Sequence, residues 1–199
     1  MTAKIKLNAA SGGGSFSLQA PSSSSNNRVL TLPDSADGTI AKTSDINFTS
    51  YAIIADVKAN DVDGGTFTTG AWRTRDLNTE LADPDGIVSI SSNQFTLQAG
   101  SYLIEAQAPA FQANRHMIKL YQTSGTPADI AFGTSEYANS TYSGQTCSFL
   151  KVRVTISSAT TYEIRHQTMN NRDTLGFGVG SDFASNTELY TIVKIFKEL

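Results

Sequence analysis

The chain has 199 residues, 17% of them charged, and a net charge of -3 at pH 7, so it lacks the Lys/Arg field that a phosphate backbone requires, and nucleic acid is not an expected partner. No apolar run approaches the ~20 residues of a membrane span, and none between Met1 and Gly14 is long enough for a signal peptide, so membrane insertion is not expected. With one cysteine, Cys147, and two histidines, the sequence offers no intrachain disulfide and no zinc-type cluster, and packing alone must hold the fold.

Residues 1–49 are rich in Ser, Gly, Asn, Asp and Thr, and their apolar residues come in short bursts: Ile5 and Leu7, Phe16 and Leu18, then Val29, Leu30 and Leu32. Turn clusters at Ala9 to Gly14, Pro21 to Asn27 and Pro33 to Gly38 separate them, a pattern of three short strands. So few apolar residues build no core within one chain, and such a segment becomes stable by oligomerising; the competing reading is a disordered tail.

From Tyr51 onward strand follows strand, and no stretch keeps a helical period. Strands are expected at Tyr51 to Val57, Gln94 to Leu97, Ser101 to Ala108, His116 to Gln122, Ile130 to Ser135, Phe149 to Ile156, Thr161 to Met169 and Leu189 to Lys197. Weaker ones surround Trp72 and Val88. Roughly eight to ten strands joined by turns suit a jelly roll. Leu150, Val152, Val154 and Ile156 alternate with Lys151, Arg153 and Thr155, and Tyr162 and Ile164 with Glu163 and Arg165, so those strands should keep one wet face. The segments Tyr51 to Ala55 and Leu189 to Val193 are apolar on both faces. A two-layer sandwich covers one face, so an identical subunit is the simplest cover for the other, and Tyr51, Ile53, Leu189, Tyr190 and Ile192 are the expected interface.

The run Phe95 to Ile104, with an aromatic, a glycine five positions on at Gly100, then Ser101-Tyr102 and an apolar strand, resembles the C1q-type signature. Trp72-Arg73, Leu77-Asn78 and a closing apolar strand are in similar order. The resemblance covers residues 50–199 and implies an all-β, ten-stranded, homotrimeric C1q/TNF-like jelly roll whose first and last strands lie in the inner sheet near the threefold axis. The preceding segment, Ile5-Lys6-Leu7 through Ser17 to Pro21 and Leu30 to Ala41, resembles one recurrent in phage tail-fibre proteins, where it precedes a binding domain. Without a collagen repeat the pattern favours a virion component over a secreted cytokine. The implied function is that of a non-enzymatic phage fibre or spike: residues 1–49 join the virion, and the head at 50–199 binds a host surface glycan or protein. The alternatives are a capsid decoration or trimerisation protein and a polysaccharide-degrading spike.

The chemistry in the sequence is sparse. His116 runs in phase with Ile118 and Leu120, as an interior histidine would. His166 runs in phase with Tyr162 and Ile164, and on a threefold axis three copies could hold an ion. Asp61 and Asp63, like Asp83 and Asp85, are oxygen-rich enough for Ca²⁺ but lack an EF-hand's spacing and read as turns. The run Gly176 to Gly180 lacks a phosphate loop's lysine, and no cofactor is expected. The long connection from Asn170 to Asn186 mixes planar polar groups with aromatics, so Asn171, Arg172, Asp173, Phe177, Asp182 and Phe183 are the first receptor-binding candidates. The competing reading is that Phe177 and Phe183 pin the loop to the sandwich. Tyr137 and Tyr142, with Asn139 between them, form a second candidate surface.

Overall fold

The computed structural model describes residues 4–8, 10–19, 23, 25 and 48–199. The chain falls into two units, Met1–Ile40 and Ala41–Leu199.

In the first unit β1 (Lys4–Asn8) and β2 (Ser15–Gln19) pair antiparallel, with Ile5 opposite Leu18 and Leu7 opposite Phe16. Gly12 and Gly13 turn the chain with φ of 84° and 70°, values that glycine adopts at little cost. These are two of the three expected strands; the third burst, Val29 to Leu32, lies outside the described residues. Ile5 and Leu7 are 64% and 58% exposed, and a lone hairpin is marginal in water.

The second unit is a sandwich of antiparallel strands, with no helix among its described residues. Its strands are β3 (Phe48–Lys58), β4 (Arg73–Thr74), β5 (Thr79–Ala82), β6 (Val88–Ser91), β7 (Gln94–Leu97), β8 (Gly100–Phe111), β9 (Asn114–Gln122), β10 (Ala128–Phe132), β11 (Glu136–Ala138), β12 (Gln145–Ile156), β13 (Thr160–Thr168) and β14 (Glu188–Glu198). The first sheet runs β12-β8-β14-β3-β5 and the second β10-β9-β13-β7-β6, with β11 beside β9 and β4 beside β13. The head's first and last strands, β3 and β14, lie side by side within the first sheet. Alternation drives the layering: Ile54, Ile104, Leu150, Val193 and Ile195 from the first sheet meet Phe95, Leu97, Leu120, Tyr162 and Ile164 from the second. Each such side chain contributes ~1.5–3 kcal/mol by leaving water.

The C1q-type signature has a local reason. Gly100 sits at φ 155° against the Tyr102 ring, and the Tyr102 hydroxyl donates to the Gln98 carbonyl (3.0 Å), clasping the turn into β8.

Several expectations need correction. The Glu163/Arg165 face of β13 is not wet: Glu163 is 4% exposed, Arg165 stacks 3.5 Å over Tyr121, and Lys119, over Trp72 at 4.3 Å, is buried on the same face. Apolar stems and aromatic faces cover these charges. The strand expected at Ile130 to Ser135 ends at Phe132, because Gly133 and Thr134 turn a corner: their amides donate to Ile118 on one sheet and Phe149 on the other. Strand β12 starts at Gln145, before Phe149, and the sequence reading did not anticipate β5 or β11.

Candidate functional site

Strand direction divides the head into two poles. Phe48 pairs with Glu198, so the chain enters and leaves the sheet at one pole; Lys58 pairs with Glu188, and Gln145 with Phe111, at the other. The second pole gathers the connections after β3, between β8 and β9, before β12 and before β14.

Every receptor-binding residue expected from sequence lies at this second pole. The long connection is not a free loop. Residues 172–178 run as a ribbon along residues 64–67: Arg172 and Phe67 exchange backbone hydrogen bonds (2.9 and 2.7 Å), Gly65 donates to Thr174 (2.8 Å), Phe177 donates to Gly65 (2.9 Å), and Gly64 donates to Gly178 (2.8 Å). Three glycines make this approach possible. A Cβ at Gly64 or Gly176 would lie 2.6 or 2.7 Å from backbone atoms, and one at Gly178 would lie 2.4 Å from the Tyr190 ring. The Val179 amide donates to Gln145 Oε1 (2.7 Å) and the Gly180 amide to Asp63 Oδ1 (3.0 Å), which ties the ribbon down further.

Phe177 is therefore corrected as a receptor contact: it is 8% exposed, edge-on to Phe67 at 5.0 Å and under the Arg75 guanidinium at 4.1 Å. It pins the ribbon, whereas Phe183 is 68% exposed. Asn171, Arg172 and Asp173 line one cleft of about 300 Å³, and Asp182 is exposed beside Phe183. Tyr142 is 74% exposed on a turn held by Asn139, whose Oδ1 accepts from the Thr141 and Tyr142 amides. Tyr137 is 56% exposed and lines a separate groove.

Beneath the ribbon lies a polar cluster that sequence reasoning missed in part. Arg75 is fully buried, donating to Thr191 Oγ1 (2.8 Å), the Pro109 carbonyl (3.2 Å) and the Phe177 carbonyl (2.8 Å). Burial lowers its pKa to about 10. His116 Nδ1 and His166 Nε2 are 3.0 Å apart, and His116 Nε2 meets Thr146 Oγ1 at 2.8 Å. Desolvation drops His116 to about 4 and His166 well below the ordinary value, so both rings are neutral near pH 7. His166 as an axial ion ligand is corrected: it is 0% exposed between the sheets, flanked by Phe67 and Phe177.

Three of the four candidate carboxylates are also committed. Asp63 accepts from Gly180, and Asp83 accepts from the Ile87 and Val88 amides (2.9 Å each). Asp85 accepts from Ser50 at the entry pole while Asp61 and Asp63 sit at the other, so the two pairs cannot flank one sugar bond. No group of three His, Cys, Asp or Glu fit for a metal exists among the described residues.

A second surface is the open face of the first sheet. Cross-strand rows there run Arg153–Leu103–Phe196–Tyr51 and Phe149–Gln107–Ile192–Ala55, with Lys151–Glu105–Lys194–Ile53 between them. Phe149 is 52%, Tyr51 45% and Leu189 44% exposed, while Ile53 and Ile192 are half-buried. A groove of about 490 Å³ crosses this face from Ile192 and Lys194 to Phe149 and Phe132. Tyr190 is corrected as an interface residue: it is 3% exposed, covered by Gly178, with its hydroxyl donating to the Val62 carbonyl (2.8 Å). The β-bulge between Leu189 and Ile192 breaks the alternation that would have set it beside Ile192.

The sandwich superposes on Eiger TNF from S. frugiperda (12% identity, 77% of this chain, 94% of that one, TM-score 0.51) and murine APRIL at pH 5.0 (8%, 74%, 98%, 0.51). The fold is the C1q/TNF jelly roll. The globular domain of zebrafish complement 1qA protein also aligns, with 14% identity over 74% of this chain and 95% of its own, at TM-score 0.48. No family model and no curated protein matches the sequence. Within the C1q/TNF jelly roll, the ten strands of the two main sheet paths carry the expected count, and β4 and β11 are short additions to it.

Proposed function

We propose that the chain is a non-enzymatic phage fibre or spike protein: a homotrimer whose residues 1–49 join the virion and whose head binds a host surface glycan or protein through the loop pole. The observation that carries the reading is the open face of the first sheet, where Tyr51, Phe149, Ile192 and Leu189 stay accessible although the same strands already fill the core with their other side. A patch of that kind is the mark of an interface, and a cyclic assembly covers it with identical copies. Three identical loop poles on one rigid assembly would then gain by avidity. The non-enzymatic part is supported by the neutral, enclosed histidine pair and by Asp63 and Asp83, whose carboxylates are already engaged with backbone amides.

Light scattering of the full chain at micromolar concentration should give three times the chain mass, and a stable monomer would overturn the assembly. Fluorescently labelled trimer should adhere to host cells. A trimer that adheres to none points instead to capsid decoration.

A further inference from the structure

At the loop pole the outward face of the second sheet carries a groove of about 450 Å³ between β9, β11 and β13. Register sets its floor: Tyr137 lies opposite Arg115, Gln167 opposite Met117, and the Met169 amide donates to the Arg115 carbonyl (2.9 Å). Because His116, Ile118 and His166 fill the interior, alternation turns Arg115, Met117 and Gln167 outward. Tyr137 and Met169 are 56% and 53% exposed.

The polar groups here are unengaged, unlike those elsewhere on the same sheet. Lys119 is paired with Asp129 and Arg165 with Glu163, but among the described residues the Arg115 guanidinium meets no carboxylate. Among the described residues no side-chain hydrogen bond occupies the Gln167 amide or the Tyr137 hydroxyl either. A free guanidinium fork matches a carboxylate in shape and charge. An amide and a phenol match hydroxyl groups, while two thioethers and an aromatic ring offer an apolar floor to C–H faces. Arg115 is the one basic side chain lining the groove, which suits a ligand with one carboxylate and many hydroxyls and disfavours a polyphosphate.

We propose that this groove binds a carboxylate-bearing sugar of a surface glycan, Arg115 holding the carboxylate and Gln167 and Tyr137 the ring hydroxyls. It rests on the reading of the head as an adhesion module, and it names the class of receptor.

The test applies the full chain to an array of uronate-bearing, sialate-bearing and neutral glycans, alongside Arg115→Gln, Gln167→Ala and, as a control at the entry pole, Asp85→Asn. Retention on at least one carboxylate glycan is expected, weaker on its methyl ester. It should fall ~10-fold or more in Arg115→Gln, the size of a lost charge-assisted pair, and less in Gln167→Ala, with Asp85→Asn unchanged. Retention on no carboxylate glycan, equal retention of the ester, or a folded Arg115→Gln protein that binds like the parent overturns the proposal. Host-cell adherence separates the two readings. Adherence undiminished in Arg115→Gln removes the groove and keeps the adhesion module, whereas array binding without adherence keeps the groove and removes host attachment.

Discussion

Arg75 brings a permanent charge into the interior with no carboxylate within ion-pair distance among the described residues, and its three hydrogen bonds go to one hydroxyl and two carbonyls. Those carbonyls belong to β8 and to the ribbon, so one side chain fastens the loop pole to the sandwich. Arg75→Met keeps much of the volume but leaves the Pro109 and Phe177 carbonyls without that donor. Each buried group stranded in this way costs ~1–3 kcal/mol, so urea titration should show a loss of about 2–6 kcal/mol, with the ribbon amides of Gly65 and Phe177 exchanging fastest. The histidine pair makes a different prediction. Its folded pKa values lie below the ordinary 6.5, near 4 for His116, so the unfolded chain takes up protons first on acidification. The stability it contributes is therefore complete above pH 6.5 and is lost as pH falls from there through about 4. Denaturant midpoints should be flat from pH 8 to about 7 and fall steeply below. Replacing His116 by Gln should flatten that fall relative to the parent, and an unchanged slope would show that the ring does not titrate with unfolding.

At the level of elements, the first sheet carries two messages on one strand. Strand β12 alternates Ser148, Leu150 and Val154 inward with Lys151, Arg153 and Thr155 outward, and Phe149 breaks the outward series. Introducing Asp at Phe149 leaves the core untouched, so the fold should persist while self-association weakens. Sedimentation at falling concentration would register dissociation at a protein level where the parent remains assembled. Phe149 also shows what was legible in the sequence. Strands with strict period-two patterns, such as Gln94 to Leu97 and Thr161 to Met169, came out nearly in place, because the core-facing side imposes that period, even though charged and aromatic side chains cover the other side of β13 as well. Short β5 and β11 were invisible, since Thr79–Ala82 and Glu136–Ala138 are positioned by their partners and not by their own composition. The site was legible in part. Length and composition singled out the connection from Asn170 to Asn186, but the burial of Phe177 depends on Gly64 and Phe67, more than a hundred positions away. Arg115 gave no signal, because a lone arginine on a strand looks the same whether or not a carboxylate faces it.

For the whole head, the two-pole arrangement puts the ends of its first and last strands at one pole and its long connections at the other. Phe48 and Glu198 are paired neighbours, and Thr49 Oγ1 donates to the Lys197 carbonyl (3.3 Å). A short bridge of a few flexible residues should thus join Leu199 to Phe48 without strain, and new ends could be opened among the exposed residues 183–186. That rewired chain should fold and show cooperative thermal melting, since no sheet hydrogen bond is cut. By the same reasoning a fluorophore or fusion partner appended after Leu199 emerges on the far side from Tyr142 and Phe183, so cargo carried there should not crowd whatever the opposite end grips.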